Sequence, residues 1–356
     1  MYMFLPVLSL FIPVGTRQGR GVYNGVTLVY HMGGILMLII QKFGGSSLAG
    51  LEKLRRAAEL CLDARREGHD IVAVVSAMGD TTDDLLELAH RISPSPPPRE
   101  LDALLSTGEQ QSAALLAIML ESLGQSARSF TGWQAGLFTC GGHGDARIAL
   151  LLPARLRSAL NGGHIAVVSG FQGLDGAGDI STLGRGGSDT TAVALAAAME
   201  ADRCMIYTDV DGICTADPRL VENAGFLPAI DYTDMLRLSR AGSQVLHSRS
   251  VELAMEYGVE IRLLSSLTGT GGSVVKALPE DARPEVAGVT RNIQDGTVTL
   301  VGRTVDAGTL SALVLMLAKE GMEVLSGSVE EGAVSVKVAP EQLLPTLRLI
   351  HAHIFG

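Results

Sequence analysis

Aromatic residues are scarce in this 356-residue chain: phenylalanine, tyrosine and tryptophan together make up 4%, with a single tryptophan, Trp133. Its core must therefore be packed from alanine, valine and leucine. Positive charge is also short, 28 Lys and Arg against 38 Asp and Glu, for a net charge of −10. That balance lacks the cationic excess that holds a phosphate backbone, which argues against nucleic acid as a partner and leaves small molecules. Only four cysteines occur, Cys61, Cys140, Cys204 and Cys214. With no C-x-x-C spacing and no histidine cluster beside them, they indicate neither a zinc site nor a disulfide framework, and they read as the usage of a reducing cytoplasm. Long apolar runs are missing too. Met1–Val14 is apolar but too short to span a bilayer, and its charges, Arg17 and Arg20, follow the run where a signal peptide would carry them before it. Because Met37 stands directly before the first strand-like run, the native start is expected at Met37 or Met32, with residues 1–36 a non-native or disordered extension.

What the chain does have is 47% hydrophobic residues and 42 glycines, ample for a core joined by many tight turns. Its length suits one large unit plus one small one. From Met37 onward, short apolar runs alternate with amphipathic segments. Met37–Phe43 reads as a strand, after which Leu48, Leu51, Leu54, Ala58, Cys61 and Leu62 fall at helical spacing. Ile71–Val75 is continuously apolar, as expected of a strand buried on both faces. The signal repeats at Ile165–Val168, Cys204–Tyr207 and Glu260–Leu264, with helical patterns such as Thr190–Met199 and Val245–Glu256 between. The alternation predicts an α/β fold with a largely parallel sheet under helices on both faces. Ligands in such sheets sit beyond the carboxyl ends of the strands.

The loops at those ends are glycine-rich and polar. Thr182–Asp189 (TLGRGGSD) sets three glycines around Arg185 and leads into the helix at Thr190; it reads as a phosphate or carboxylate site, or else as a plain capped turn. Lys42–Ser47 (KFGGSS) puts a lysine at a strand end before two glycines and two hydroxyls, a second anion cradle unlike a Walker A loop, whose lysine follows its glycines. Ser76–Asp84 offers hydroxyl donors and a helix cap. Within the helical run Leu101–Gly124, a half-buried Glu109 calls for a cation such as the ammonium of an amino acid, unless it is simply solvated. His143 and His164 read as turn histidines, and Pro94–Pro98 as a surface break. Tyr207–Gly212 ends a strand with carboxylates and is followed by Asp217-Pro218-Arg219, a set suited to a magnesium nucleotide or to turn formation alone.

Taken in order, these motifs resemble those of aspartate kinases in the amino-acid kinase superfamily: KFGGSS at Lys42, VSAMGDTTDDL at Val75, LSTGE at Leu105, TGWQAG at Thr131, TLGRGGSD at Thr182 and YTDVDGICTADPR at Tyr207. The resemblance spans about Met37 to Val275 and implies a three-layer αβα sandwich of the carbamate kinase-like type. It also implies ATP-dependent phosphorylation of the L-aspartate side chain to 4-phospho-L-aspartate, the first step toward lysine, threonine and methionine. By that resemblance Lys42, Asp189 and Arg185 are catalytic, with Asp189 orienting Lys42. Ser76, Thr82, Glu109, Arg185, Gly187 and Ser188 would hold aspartate. ATP with Mg²⁺ would lie against Lys42, Phe43, Gly44, Gly45, Ser188, Thr208, Asp209, Cys214, Asp217, Arg219, Gln244 and Val245, and no protein-held metal is expected. The acceptor carboxylate, with an ordinary pKa near ~4, is already ionised at neutral pH, so the barrier is the approach of an anion to a polyanion rather than a proton transfer.

Three stretches depart from the family pattern. Cys214 stands where a tyrosine is usual, Gln244 where a lysine is usual, and Phe138–Asp145 (FTCGGHGD) lacks an acidic pair, so altered ATP affinity is expected. Beyond a linker at Thr268–Pro284, Thr297–Gly302 reads as a strand, Thr309–Gly321 as a helix, Met322–Val329 and Ala333–Val338 as strands, and Pro340–His351 as a helix. This β-α-β-β-α pattern resembles one ACT regulatory unit where the family usually carries two. The division expected is thus a catalytic domain over 37–280 and a single α+β ACT-like domain over 285–356, with homodimerisation through the latter. Aspartate and ATP are the expected partners, with neither nucleic acid nor membrane.

Overall fold

The computed structural model describes residues 36–356; the apolar stretch at 1–14 and the segment through residue 35 lie outside them. The first strand, β1 (Leu38–Phe43), leads through a short turn of helix α1 (Gly45–Leu48) to α2 (Leu51–Arg66). One helix was expected here, but Gly50 takes φ 91°, left-handed geometry that splits it and leaves Leu51 exposed. Then come β2 (Asp70–Val75), α3 (Thr81–Ile92), the 25-residue α4 (Pro98–Ser122) and β3 (Ala127–Phe130). A hairpin layer follows, made of β4 (Leu137–Cys140), β5 (Arg147–Leu151), and, beyond α5 (Ala154–Asn161) and β6 (Ile165–Ser169), of β7 (Gln172–Leu174) and β8 (Ile180–Thr182). The chain continues through α6 (Gly187–Met199), β9 (Arg203–Thr208), β10 (Ile213–Cys214), β11 (Phe226–Leu227), β12 (Ala229–Asp231), α7 (Tyr232–Arg240), α8 (Ser248–Tyr257), β13 (Ile261–Ser265) and β14 (Ser273–Lys276).

Eight strands form the main sheet in the order β12-β14-β13-β9-β1-β2-β6-β3, parallel except at the β13–β14 pair. Helices cover both faces, giving three layers. Leu54, Cys61, Leu116 and Leu120 of α2 and α4 pack with Ile39, Phe43 and Val75 on one side. Leu156, Val193, Met235 and Val251 of α5 to α8 pack with Ile40, Val74 and Ile206 on the other. With both faces buried, β2 has no side that needs polar residues, which explains its unbroken run Ile71–Val75. The segment expected to be a linker, Thr268–Pro284, instead contributes β14, an interior strand bonded to β12 and β13. No helix among the described residues is long and apolar enough to cross a membrane.

The C-terminal unit is a four-stranded antiparallel sheet, β15 (Gly288–Asn292), β16 (Thr297–Val301), β17 (Ser326–Glu330) and β18 (Ala333–Lys337), in the order β15-β16-β18-β17. Helices α9 (Ala307–Lys319) and α10 (Leu343–Phe355) pack with it around Val298, Leu300, Leu313, Leu317, Val336, Leu347 and Ile350. The expected β-α-β-β-α pattern is thus preceded by a further strand, β15, which covers the edge of β16. The strand expected from Met322 begins only at Ser326, and Ala216 and Val221 join this unit's core.

Candidate functional site

The parallel strands end along one line, and the residue leaving each is still bonded to its neighbour. Gly44 N–H donates to Tyr207 O at 3.4 Å, Ser76 N–H to Phe43 O at 3.1 Å, Gly170 N–H to Val75 O at 3.0 Å and Ser266 N–H to Thr208 O at 2.8 Å. The loops therefore start from fixed positions. Gly45 N–C geometry brings two of them together: its carbonyl accepts from Gly79 N–H at 3.0 Å, and a Cβ on Gly45 would stand 2.7 Å from Ala77 O. Glycine is needed there because a side chain would push the loops apart.

Lys42 and Asp189 meet across this edge, Nζ to Oδ1 at 2.6 Å, and each is only 9% exposed. Asp189 sits in the first turn of α6, which is preceded by Gly186 at φ 72°. A Cβ on Gly170 would be 2.8 Å from Ser188 Oγ, so its absence lets the start of α6 close on the strand ends and buries Ser188. Phe171 next to it also has φ 72°, a strained value for a side chain of its kind. Its N–H donates to Thr191 Oγ1 and its carbonyl accepts from Leu183 N–H, which hold it in place. Arg185 stands exposed at the tip of this loop and forms no ion pair with any described residue.

Glu109 is more buried than its sequence neighbourhood suggested, 4% exposed. Its Oε1 accepts from Ala77 N–H at 3.1 Å, while Oε2 has no partner. Desolvation lifts its pKa to about 7, the backbone hydrogen bond opposing the shift only in part. A buried carboxylate oxygen left unpaired at a strand-end cleft is a ready receiver for an ammonium group. Ser76 and Thr82 are half-buried, on the loop and helix that follow β2.

Two turns before Glu109 on α4 lies Asp102, 1% exposed, which sequence reasoning missed. It accepts from Thr182 N–H (2.9 Å), Thr182 Oγ1 (2.6 Å) and Gly144 N–H (2.9 Å), and His143 Nδ1 lies 3.1 Å away. His143 is thus part of the anchor that ties the start of the Thr182–Asp189 loop to the helix of Glu109, not a plain turn histidine. The available signal was the seven-residue spacing of Asp102 and Glu109, which puts both acids on one helix face with buried Ser106 between them. Histidine and carboxylate atoms within 4.8 Å of one another occur among the described residues at His143, Asp175 and Asp179, in the hairpin layer.

The residues expected to face a nucleotide lie on the segments after β9 and before α8. Thr208 Oγ1 contacts Asp209 Oδ1 at 3.2 Å, and Arg219 pairs with Asp217 at 2.8 Å, so the cation expected to face a phosphate is already engaged. Cys214 is half-buried and its thiol is pushed up, first by burial and then by Asp211 and Asp217, which leaves it protonated at neutral pH. Gln244 is exposed and Val245 half-buried in the turn before α8; that helix begins at Ser248, three residues later than expected, with His247 as its cap. The same His247 lies over Gly186, where a Cβ would come within 2.2 Å of its Cβ. No ion pair links Asp217–Arg219 with Lys42–Asp189 among the described residues.

A three-layer sandwich whose strand ends carry a glycine cradle and a buried lysine–aspartate pair is built to receive an anion, and the chain belongs to the amino acid kinase family, whose model matches residues 37–265. More particularly, it is 53% identical over 271 residues to the aspartokinase of Mycolicibacterium smegmatis, a match that covers 75% of this chain and 64% of that protein. The chain thus spans about two thirds of that relative's length. Among solved structures, the aspartate kinase from Synechocystis superposes with a TM-score of 0.62 at 37% identity, covering 88% of this chain and 55% of the other. E. coli aspartokinase III, in complex with aspartate and ADP, gives 0.67 at 25% identity over 88% and 83%.

Proposed function

We propose that the protein catalyses ATP-dependent phosphorylation of the side-chain carboxylate of L-aspartate to 4-phospho-L-aspartate, in the cytoplasm, as the first step toward lysine, threonine and methionine. The observation that carries this reading is the buried Lys42–Asp189 pair, 2.6 Å apart, beside Gly44 at the start of the glycine loop. Its neighbours fit an amino-acid acceptor: Glu109 Oε2 awaits an ammonium group and the unpaired Arg185 can grip a carboxylate in a fork. Support for these substrates also comes from E. coli aspartokinase III, described with aspartate and ADP.

The residues fit a magnesium nucleotide, because the cradle beside Lys42 is open where glycine leaves out a Cβ, and Mg²⁺ usually rides on phosphates rather than in an all-protein cage. When bound, ATP supplies the phosphoryl group and Mg²⁺ offsets part of its charge. The chain's own residues do the rest. Asp189 holds the Lys42 ammonium toward the glycine loop. Lys42 and the loop N–H groups neutralise charge as the acceptor carboxylate approaches, which is the main electrostatic demand of phosphoryl transfer. Glu109 and Arg185 fix the two ends of the amino acid so that its side chain points at Lys42, with Ser76, Thr82, Gly187 and Ser188 around it. Thr208, Asp209, Cys214, Asp217, Arg219, Gln244 and Val245 would hold the rest of the nucleotide, and Arg219, paired with Asp217 at 2.8 Å, would supply it a cation.

In this reading the catalytic unit spans 37–280 and the ACT-like unit 285–356, and two copies pair through the latter. A coupled assay that traps acyl phosphate as the hydroxamate tests the reaction with aspartate, glutamate and N-acetylglutamate. Signal with aspartate alone is expected; signal with another acceptor only, or with none, overturns the proposal.

A further inference from the structure

A buried hydroxyl in the glycine loop has no partner. Ser47 is 3% exposed, and its Oγ makes no hydrogen bond. Its backbone N–H donates to Gly44 O at 3.0 Å, but the side chain does not bond back to a carbonyl as a serine in a helical turn commonly does. Ser46, one residue earlier, behaves as a surface residue: it is exposed and its carbonyl accepts from Lys53. Leaving a buried hydroxyl unsatisfied destabilises the ligand-free protein. The direction of Ser47 supplies the reason to keep it. A Cβ built on Gly44 would lie 3.6 Å from Lys42 Nζ and 4.0 Å from Ser47 Oγ, so the ammonium and the hydroxyl border the same small space above the glycine.

The geometry assigns Ser47, on the strength of the kinase reading above, as a residue that binds the transferring phosphoryl group: its Oγ–H donates to an anionic oxygen whose charge Lys42 also faces. Two donors from one rigid turn, an ammonium and a hydroxyl, hold that oxygen in direction as well as in charge. The pairing is specific to a group reaching over Gly44, so a nucleotide ending at its second phosphate does not use it.

Ser47→Ala tests this. Without ligand, the variant melts at the wild-type temperature or above it, because the substitution removes an unsatisfied polar group. Turnover in the hydroxamate assay falls about 10- to 100-fold, the range for losing a hydrogen bond to a charged group, with KM for aspartate unchanged. The rise in Tm given by adenylyl imidodiphosphate, a non-hydrolysable triphosphate, shrinks, while the rise given by ADP is preserved. Unchanged turnover together with an unchanged rise overturns the assignment. So does an equal loss of the ADP and triphosphate shifts, or a ligand-free melting point lowered by several degrees, which marks a merely structural serine. Wild-type protein that binds the triphosphate but forms no hydroxamate overturns the aspartate kinase reading instead, and the comparison of the two Tm shifts still decides Ser47.

Discussion

Lys42 and Glu109 are buried charges with different partners, and their variants should fail in different ways. Lys42 is satisfied within the protein by Asp189, and in the proposed reaction it acts on the transition state rather than on acceptor binding. Lys42→Ala should therefore lower kcat by ~10²-fold or more, the size typical of removing one preorganised electrostatic group, with a small effect on KM for aspartate. Near-normal turnover would refute that role. Glu109 is unsatisfied without substrate, and burial raises its pKa to about 7. Only the ionised form attracts an ammonium, so KM for aspartate should fall as pH rises from about 6 to 8. Stability moves the other way. A carboxyl whose folded pKa lies above its unfolded value destabilises the ligand-free protein progressively as pH rises from about 4 through 7, and at pH 8 the penalty is on the order of 3 kcal/mol. Glu109→Gln should consequently unfold later than wild type in urea at pH 8 while losing aspartate binding. A Gln variant that is less stable and still binds aspartate would contradict both halves.

At the scale of elements, the contact between the two units falls on the segment proposed to face the nucleotide. Helix α10 reaches the segment after β10 through Arg348 Nε, which donates to Leu220 O at 2.8 Å, and through buried His351, whose Nε2 lies 2.9 Å from Thr215 Oγ1. Thr215 Oγ1 also accepts from Gly225 N–H at 2.8 Å, so its hydroxyl joins this loop to α10. Burial lowers the His351 pKa, which favours the neutral ring. His351→Phe removes one of the two partners of the Thr215 hydroxyl and should raise KM for ATP several-fold with KM for aspartate unchanged; steady-state kinetics that show the reverse pattern would place the contact's influence elsewhere. This element-level link was not legible in the sequence, because a histidine on an amphipathic helix carries no mark of what it meets. The parallel strands were legible, since β1, β2 and β6 are buried along nearly their whole length and β9 and β13 keep a buried apolar face. The short strands were not. β5, Arg147–Leu151, is largely exposed, and β14, Ser273–Lys276, follows the glycine-rich Thr268–Gly272, so tertiary pairing rather than local pattern makes it a strand. In the site, the glycine loops and Lys42, Arg185 and Asp189 stood out because their residue types are costly or unusual where they occur. Asp102 did not, because an aspartate on a helix is ordinarily solvated, and only the fold brings Thr182 and Gly144 to it.

At the scale of the whole molecule, the C-terminal sheet ends in two different edges, β15 and β17. β15 is tied to the larger unit by Val289 N–H, which donates to Thr215 O at 2.7 Å, whereas β17 has all five residues exposed. An edge strand is ordinarily guarded by lysine, proline or a bulge, and β17 (Ser-Gly-Ser-Val-Glu) has a single charge, Glu330. Apolar surface adjoins it: Leu315 on α9 is 65% exposed, Leu325 56% and Val329 43%. A second copy presenting the same edge in antiparallel register would satisfy the free backbone groups and cover these side chains in one two-fold interface. The net charge of −10 on each chain opposes association at long range, so pairing should weaken at low ionic strength. Light scattering or sedimentation in moderate salt should then report twice the single-chain mass, and Val329→Lys combined with Leu315→Glu should return a monomer whose hydroxamate activity persists, since neither residue lies near Lys42. A wild-type monomer at micromolar concentration would eliminate the edge as a pairing surface; a dimer indifferent to the double substitution would move the interface to another face of the molecule.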